Sequence, residues 1–232
     1  MRKSGKNFEI RMQSAYFEDQ STFMSTNISG LNTLQDIRNM MEKSSRFISL
    51  SGWSGISAGI CGLAGAWFAW QRINAFHAQA NSASSQCIDC LKTDLLVIAS
   101  LVFAAAFATA FFFTFLRSRR DGSVLWGPAA RRLLWNTLFP MLAGGLVILR
   151  LVSLEQYDII ISVSLIFYGL ALINGSRYTI GEVRYLGYAE LATGLISLWL
   201  PELGLYLWAI GFGLLHIVYG IAMWWKYERT GN

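Results

Sequence analysis

Apolar residues in this chain gather into six stretches, 47–70, 95–116, 133–152, 157–174, 180–200 and 203–225, separated by short polar links. Within each stretch they run almost without interruption, which is the pattern of a helix that is apolar nearly all round. About 20 such residues, rising about 1.5 Å each, cross a hydrocarbon core of about 30 Å. The pattern predicts an all-α, polytopic membrane protein with six transmembrane helices over residues 47–228. A different period precedes them. Leu31, Leu34, Ile37, Met40, Met41 and Phe47 recur at helical spacing, while Asp36, Arg38, Asn39, Glu42 and Lys43 take the opposite face. Residues 31–46 therefore read as an amphipathic helix lying in a membrane interface, with Asn32 and Gln35 placed to cap its start. Residues 1–30 are polar and mixed in charge, and read as a partly disordered tail.

Charge orients this array. Of 19 Lys and Arg residues, the tail and amphipathic segment hold seven, and the link between the second and third spans holds Arg117, Arg119, Arg120, Arg131 and Arg132. Arg177 and Arg184 follow between the fourth and fifth spans, and Lys226 and Arg229 after the sixth. The alternate links carry only Arg72, Lys92 and Arg150. The positive-inside rule then puts both termini and the amphipathic helix in the cytoplasm. With 54% hydrophobic and 14% charged residues, no separate soluble domain fits. The net charge of +5 sits in flanks that meet anionic lipid, so no nucleic-acid role is assigned. The first apolar run is longer than a secretory signal core and is expected to stay as an anchor.

Within the spans, residue choice points to packing. The first is rich in glycine, and Gly55 and Gly59 have the spacing that lets helix backbones approach closely in lipid. Their partner lies in the same chain or in a second copy, so a homo-oligomer stays open. Pro140 takes the helical donor from the carbonyl of Asn136 and predicts a kink. Eight tryptophans, among them Trp126, Trp135 and Trp199, fall near span ends as an interfacial belt would place them.

Two ionisable residues lie deep in the apolar stretches, Glu190 in the fifth span and His216 in the sixth. Burying either costs about 3 kcal/mol on insertion scales, so each is expected to face the bundle interior with a partner. Counting outward from the turn at Pro201 and Glu202 leaves the two about 5 Å apart in depth, leaning toward one another. Gly187 and Gly194 share a face with Glu190, and Gly213 and Gly220 share one with His216, which predicts a close crossing of these two helices. Tyr168, Tyr188 and Tyr219 are candidate third members of the cluster. A structural polar clamp and a proton relay or ligand site both fit this pattern.

The link between the first two spans carries Cys87 and Cys90, outside the cytoplasm by the charge pattern, with His77 upstream. A disulfide or two free thiols is expected there. A redox enzyme needs a surround that a short loop lacks, and a metal needs a second ligand pair. Arg117, Arg119, Arg120, Arg131, Arg132, Arg177 and Arg184 form a cytoplasmic basic cluster, serving topology or the binding of lipid head groups or a phosphorylated ligand. No phosphate-cradling loop, nucleophile elbow, HExxH or paired-carboxylate motif is present, so no catalytic residue, metal or cofactor is assigned.

Three stretches carry a resemblance: FISLSGWSGISAGI at 47–60, FYGLALINGSRYTIGEVRYLGYAE at 167–190 and LWAIGFGLLHIVYGIAMWWKYE at 207–228. They resemble a family of uncharacterised six-span bacterial inner-membrane proteins, encoded beside small winged-helix regulators. That resemblance implies a six-span fold and carries no catalytic role onto any residue, since no activity is established for the family; a cytoplasmic regulatory protein is the expected partner. The expected function is a non-enzymatic sensory or accessory role. The alternative is a small-solute or proton-coupled transporter or channel using Glu190 and His216.

Overall fold

The computed structural model describes residues 51–80, 87–120 and 126–229. The tail and the amphipathic segment of the sequence reading lie outside these residues. Among the described residues the chain is helical and contains no strand. Its helices are α1 (Gly52–Ala80), α2 (Ile88–Arg120), α3 (Pro128–Ser153), α4 (Ile160–Gly175), α5 (Val183–Trp199) and α6 (Pro201–Tyr227). Four are long and apolar enough to cross a membrane: α2, α3, α4 with the 3₁₀ turn Ser176–Tyr178, and α6. The 17 residues of α5 make it shorter, and the glycines and serines of α1 dilute its apolar character.

Local chemistry sets several boundaries. Pro128 opens α3, where its missing N–H costs nothing, and Pro201 stops α5 by disfavouring helical geometry at Leu200. Two helices run well past their apolar stretches, α1 to Ala80 and α2 back to Ile88. These polar extensions hold together through an ion pair between Arg72 and Asp94. The α3–α4 link turns at Glu155, a non-glycine residue with a φ of 58°. α6 opens with a 3₁₀ turn and widens to π-helix over Ala209–Leu215 before returning to α-helix at His216.

The helices pack as a row, α3 on α4, α4 on α5, α5 on α6, α6 on α1 and α1 on α2, with α4 also touching α6. Glycine makes the two tightest crossings. A Cβ on Gly59 would lie 2.6 Å from the carbonyl oxygen of Gly213, and one on Gly220 equally close to that of Gly52. The glycine face of α1, Gly55 included, is thus occupied by α6 of the same chain. Between α4 and α5, a Cβ on Gly187 would stand 2.9 Å from the carbonyl oxygen of Gly169, and one on Gly194 as close to Ile166.

This corrects the expected crossing. Gly187 and Gly194 face α4, and Gly213 and Gly220 face α1; neither set separates α5 from α6. The reason is angular, because a helix packed against more than one neighbour presents a different face to each.

The carbonyl that Pro140 leaves without a helical donor is satisfied by a neighbour. Asn174 of α4 donates its side-chain N–H to the carbonyl oxygen of Asn136, at 2.7 Å, supplying the bond that proline removes.

The bundle has two chemically distinct ends. At one, Lys92 at the start of α2 lies 3.7 Å from Glu155 in the α3–α4 link. At the other, Glu182 in the α4–α5 link pairs with Lys226 near the end of α6 and accepts a hydrogen bond from Tyr227 at 2.8 Å. The basic links of the sequence sort to the second end and the cation-poor links to the first.

Candidate functional site: a buried carboxylate, imidazole and phenol

Three helices deliver the polar groups at the middle of the bundle. Glu190 comes from α5, His216 from the first α-helical turn after the π-helix of α6, and Tyr168 from α4. Glu190 is 0% exposed and His216 5%. Nδ1 of His216 lies 3.0 Å from the carbonyl oxygen of Gly211 and 3.2 Å from Oε1 of Glu190; its Nε2 lies 2.8 Å from the hydroxyl of Tyr168. A carbonyl only accepts, so the Nδ1 hydrogen bond fixes Nδ1 as a donor, and Nε2 of the neutral ring accepts from Tyr168.

The Glu190 contact is different in kind. Its two oxygens approach the imidazole and Gly211 but accept no hydrogen bond among the described residues. The 3.2 Å approach is therefore a close contact without an aligned donor and acceptor. Both groups sit in an apolar interior, where a charge without a hydrogen-bonded partner is costly.

Apolar and aromatic groups close the site. Leu165 is fully buried against Gly211, and Phe212 has its ring 5.1 Å from that of Tyr168 and 6.2 Å from that of His216. The imidazole itself stacks on Tyr168, with centroids 5.4 Å apart. No sequence signal marked Gly211. It matters because a Cβ there would meet Oε2 of Glu190 at 2.7 Å. The π-helix that turns Gly211 and His216 to the same side was equally invisible, since π-turns have no strong residue signature.

Of the candidate third members, Tyr168 joins the cluster. Tyr188 is 50% exposed on the outside of α5. Tyr219 follows His216 by one turn, with a buried hydroxyl that has no hydrogen-bond partner among the described residues.

The other sequence candidates lie apart. Cys87 and Cys90 form a disulfide at the cation-poor end. At the basic end, Arg120, Arg131, Arg132 and Arg177 are exposed, Arg119 lies over Phe115 and Arg184 over Tyr185, while Arg117 is half-buried. These arginines come from the ends of several helices. An open groove of about 440 Å³ is lined there by Thr179, Glu182, Arg184, Tyr185 and Tyr227. Burial works against the charge on Glu182, but hydrogen bonds from Lys226 and Tyr227 outweigh it and hold this carboxyl below its ordinary value of 4.5. Among the described residues no cluster of His, Cys, Asp and Glu is placed to hold a metal ion.

Comparison with known proteins adds no relative: no family model, curated protein or solved structure matches this chain.

Proposed function

We propose that this is a six-span bacterial inner-membrane protein with both termini in the cytoplasm, acting as a non-enzymatic sensory or accessory component through its cytoplasmic face. The shorter α5 and the glycine-rich α1 complete the six spans, because each is packed between helices able to cross. The distribution of cations between the two ends supports the orientation. The three stretches named above support membership of the family that the sequence resembles.

One observation carries the functional reading: the Glu190, His216 and Tyr168 cluster is enclosed by its own helices. A carrier needs a polar route to its site, yet residues 47–70, 95–116 and helix α4 contain no Asp, Glu, Lys, Arg or His. The cluster serves as a polar clamp that fixes α4, α5 and α6 against one another. Interaction then falls to the cytoplasmic end, where Glu182, Lys226 and Tyr227 clasp the α4–α5 link to the end of α6 beside an open groove. A cytoplasmic regulatory protein is the partner proposed.

Crosslinking followed by purification from native membranes tests this. A one-to-one partner that is lost about tenfold in Glu182→Lys, with helicity unchanged, is expected. No stoichiometric partner for the wild-type protein would contradict it. A second reading, proton-coupled transport, is favoured by the two Glu190 oxygens that accept no hydrogen bond. It predicts proton movement across liposomes that Glu190→Gln abolishes.

A further inference from the structure

The apolar pattern starts the second span at Leu95 and leaves Cys87 and Cys90 in a loop, whereas α2 begins at Ile88, so the pair opens a helix of 33 residues. The carbonyl of Cys87 accepts the backbone N–H of Leu91 at 3.3 Å, which makes Cys87 the N-terminal cap of α2. Its sulfur lies 3.2 Å from the backbone nitrogen of Cys90, the donor that a capping side chain normally takes. The two sulfurs are bonded to each other and both residues are exposed.

A structural disulfide restrains the unfolded chain by joining distant positions. This one spans a sequence separation of 3 inside a single helical turn, and therefore restrains little. Its placement favours another role. When the bond opens, a thiolate on Cys87 meets the free N–H groups and the positive end of the helix dipole, which stabilise it over the thiol. Asp89 beside the pair opposes this charge, but Lys92 lies 3.4 Å from its carboxylate. The neighbouring elements add Arg72, paired with Asp94, and His77 from α1, and Glu155, paired with Lys92, from the α3–α4 link.

We propose that Cys87 and Cys90 are an exchangeable redox pair, reacting with a dithiol of another protein on the extracytoplasmic side of the membrane. The side rests on the orientation proposed above; the chemistry does not. A partner thiolate attacks Sγ of Cys87, the bond between Cys87 and Cys90 breaks, and its electron pair leaves on Sγ of Cys90, which takes up a proton. The partner's second thiol loses its proton and attacks the partner sulfur of the mixed disulfide, and Cys87 leaves as a thiolate held by the N–H of Cys90. The partner is oxidised to its disulfide by two electrons and the pair is reduced by two.

The test uses the full chain in lipid nanodiscs with Cys61→Ala as background. The Cys90→Ser variant is reduced, mixed with oxidised glutathione at pH 7, and the mixed disulfide followed by mass. Cys87 is expected to react about threefold faster than in a free peptide of residues 87–94, which is too short to hold a helix, because its larger thiolate fraction outweighs the lower nucleophilicity of a stabilised thiolate. Thiolate absorbance of the same variant is expected to show a correspondingly larger thiolate fraction than the peptide. Rates and thiolate fractions equal to the peptide's, or a wild-type disulfide that reduced glutathione does not open, would overturn the exchange. Membrane-impermeant maleimide labelling of intact cells after mild reduction reads the side separately. Labelling only after lysis would overturn the orientation while leaving the exchange chemistry standing.

Discussion

At the scale of single residues, three positions carry definite energetic expectations. Asn174 replaces the donor that Pro140 removes, so Asn174→Ala is expected to cost about 1 kcal/mol in a denaturant titration of the reconstituted protein. Pro140→Ala restores a backbone donor to Asn136, so the same substitution in that background should cost clearly less. Equal costs in both backgrounds would mean that the bond does not compensate the proline. Gly211 has no room for a side chain. Gly211→Ala is expected to push the Glu190 carboxyl off His216 and destabilise by about 1–3 kcal/mol, whereas Gly145→Ala, with open space around it, should stay within about 0.5 kcal/mol.

The sequence made part of this visible. Proline at 140 announced a carbonyl in need of a donor, but the donor came from another helix at a separation that no local pattern marks. Likewise Glu190 and His216 stood out because charge is rare in apolar runs. Gly211 did not, because one glycine among 21 is silent until its neighbours are placed.

At the scale of elements, apolar runs give the helices but not their ends or their faces. α1 and α2 extend beyond those runs because polar residues with no lipid to enter still continue a helix, and the Arg72 to Asp94 pair ties the extensions together. Faces were harder. Counting residues from the Pro201 turn brought Glu190 and His216 to similar depth, but depth says nothing about which neighbour each glycine touches. Gly59 is buried against α6, so Gly59→Leu is expected to separate α1 from α6 and, as α2 rests mainly on α1, to loosen α2 with it. Hydrogen exchange in nanodiscs would show faster exchange across α1 and α2 with α4 and α5 unchanged; uniform exchange would contradict that hierarchy.

At the scale of the whole molecule, the end that holds Glu182 carries a dependence on pH. Glu182 is held below 4.5 by Lys226 and Tyr227, so its carboxylate stabilises the fold above that value and the contribution fades as pH falls through the lower folded value. The thermal midpoint of the wild type is expected to drop more between pH 6 and about pH 3 than that of Glu182→Gln. The drop should shrink in high salt, since Lys226 is 60% exposed. Parallel behaviour of the two proteins would remove Glu182 from the acid response.

The bundle's overall logic follows from these parts. Small residues bring α1, α4, α5 and α6 close, Glu190, His216 and Tyr168 meet at the centre, and the ion pairs of the described residues lie at the two ends. What the cluster does for the protein depends on whether protons reach it. Purified protein in liposomes carrying a pH-sensitive dye inside, with an imposed proton gradient and a potassium diffusion potential, measures this directly. The enclosed arrangement of Glu190, His216 and Tyr168 predicts no proton entry above that of empty liposomes. Entry that rises with the protein and disappears in Glu190→Gln would contradict the clamp and make the cluster a proton path.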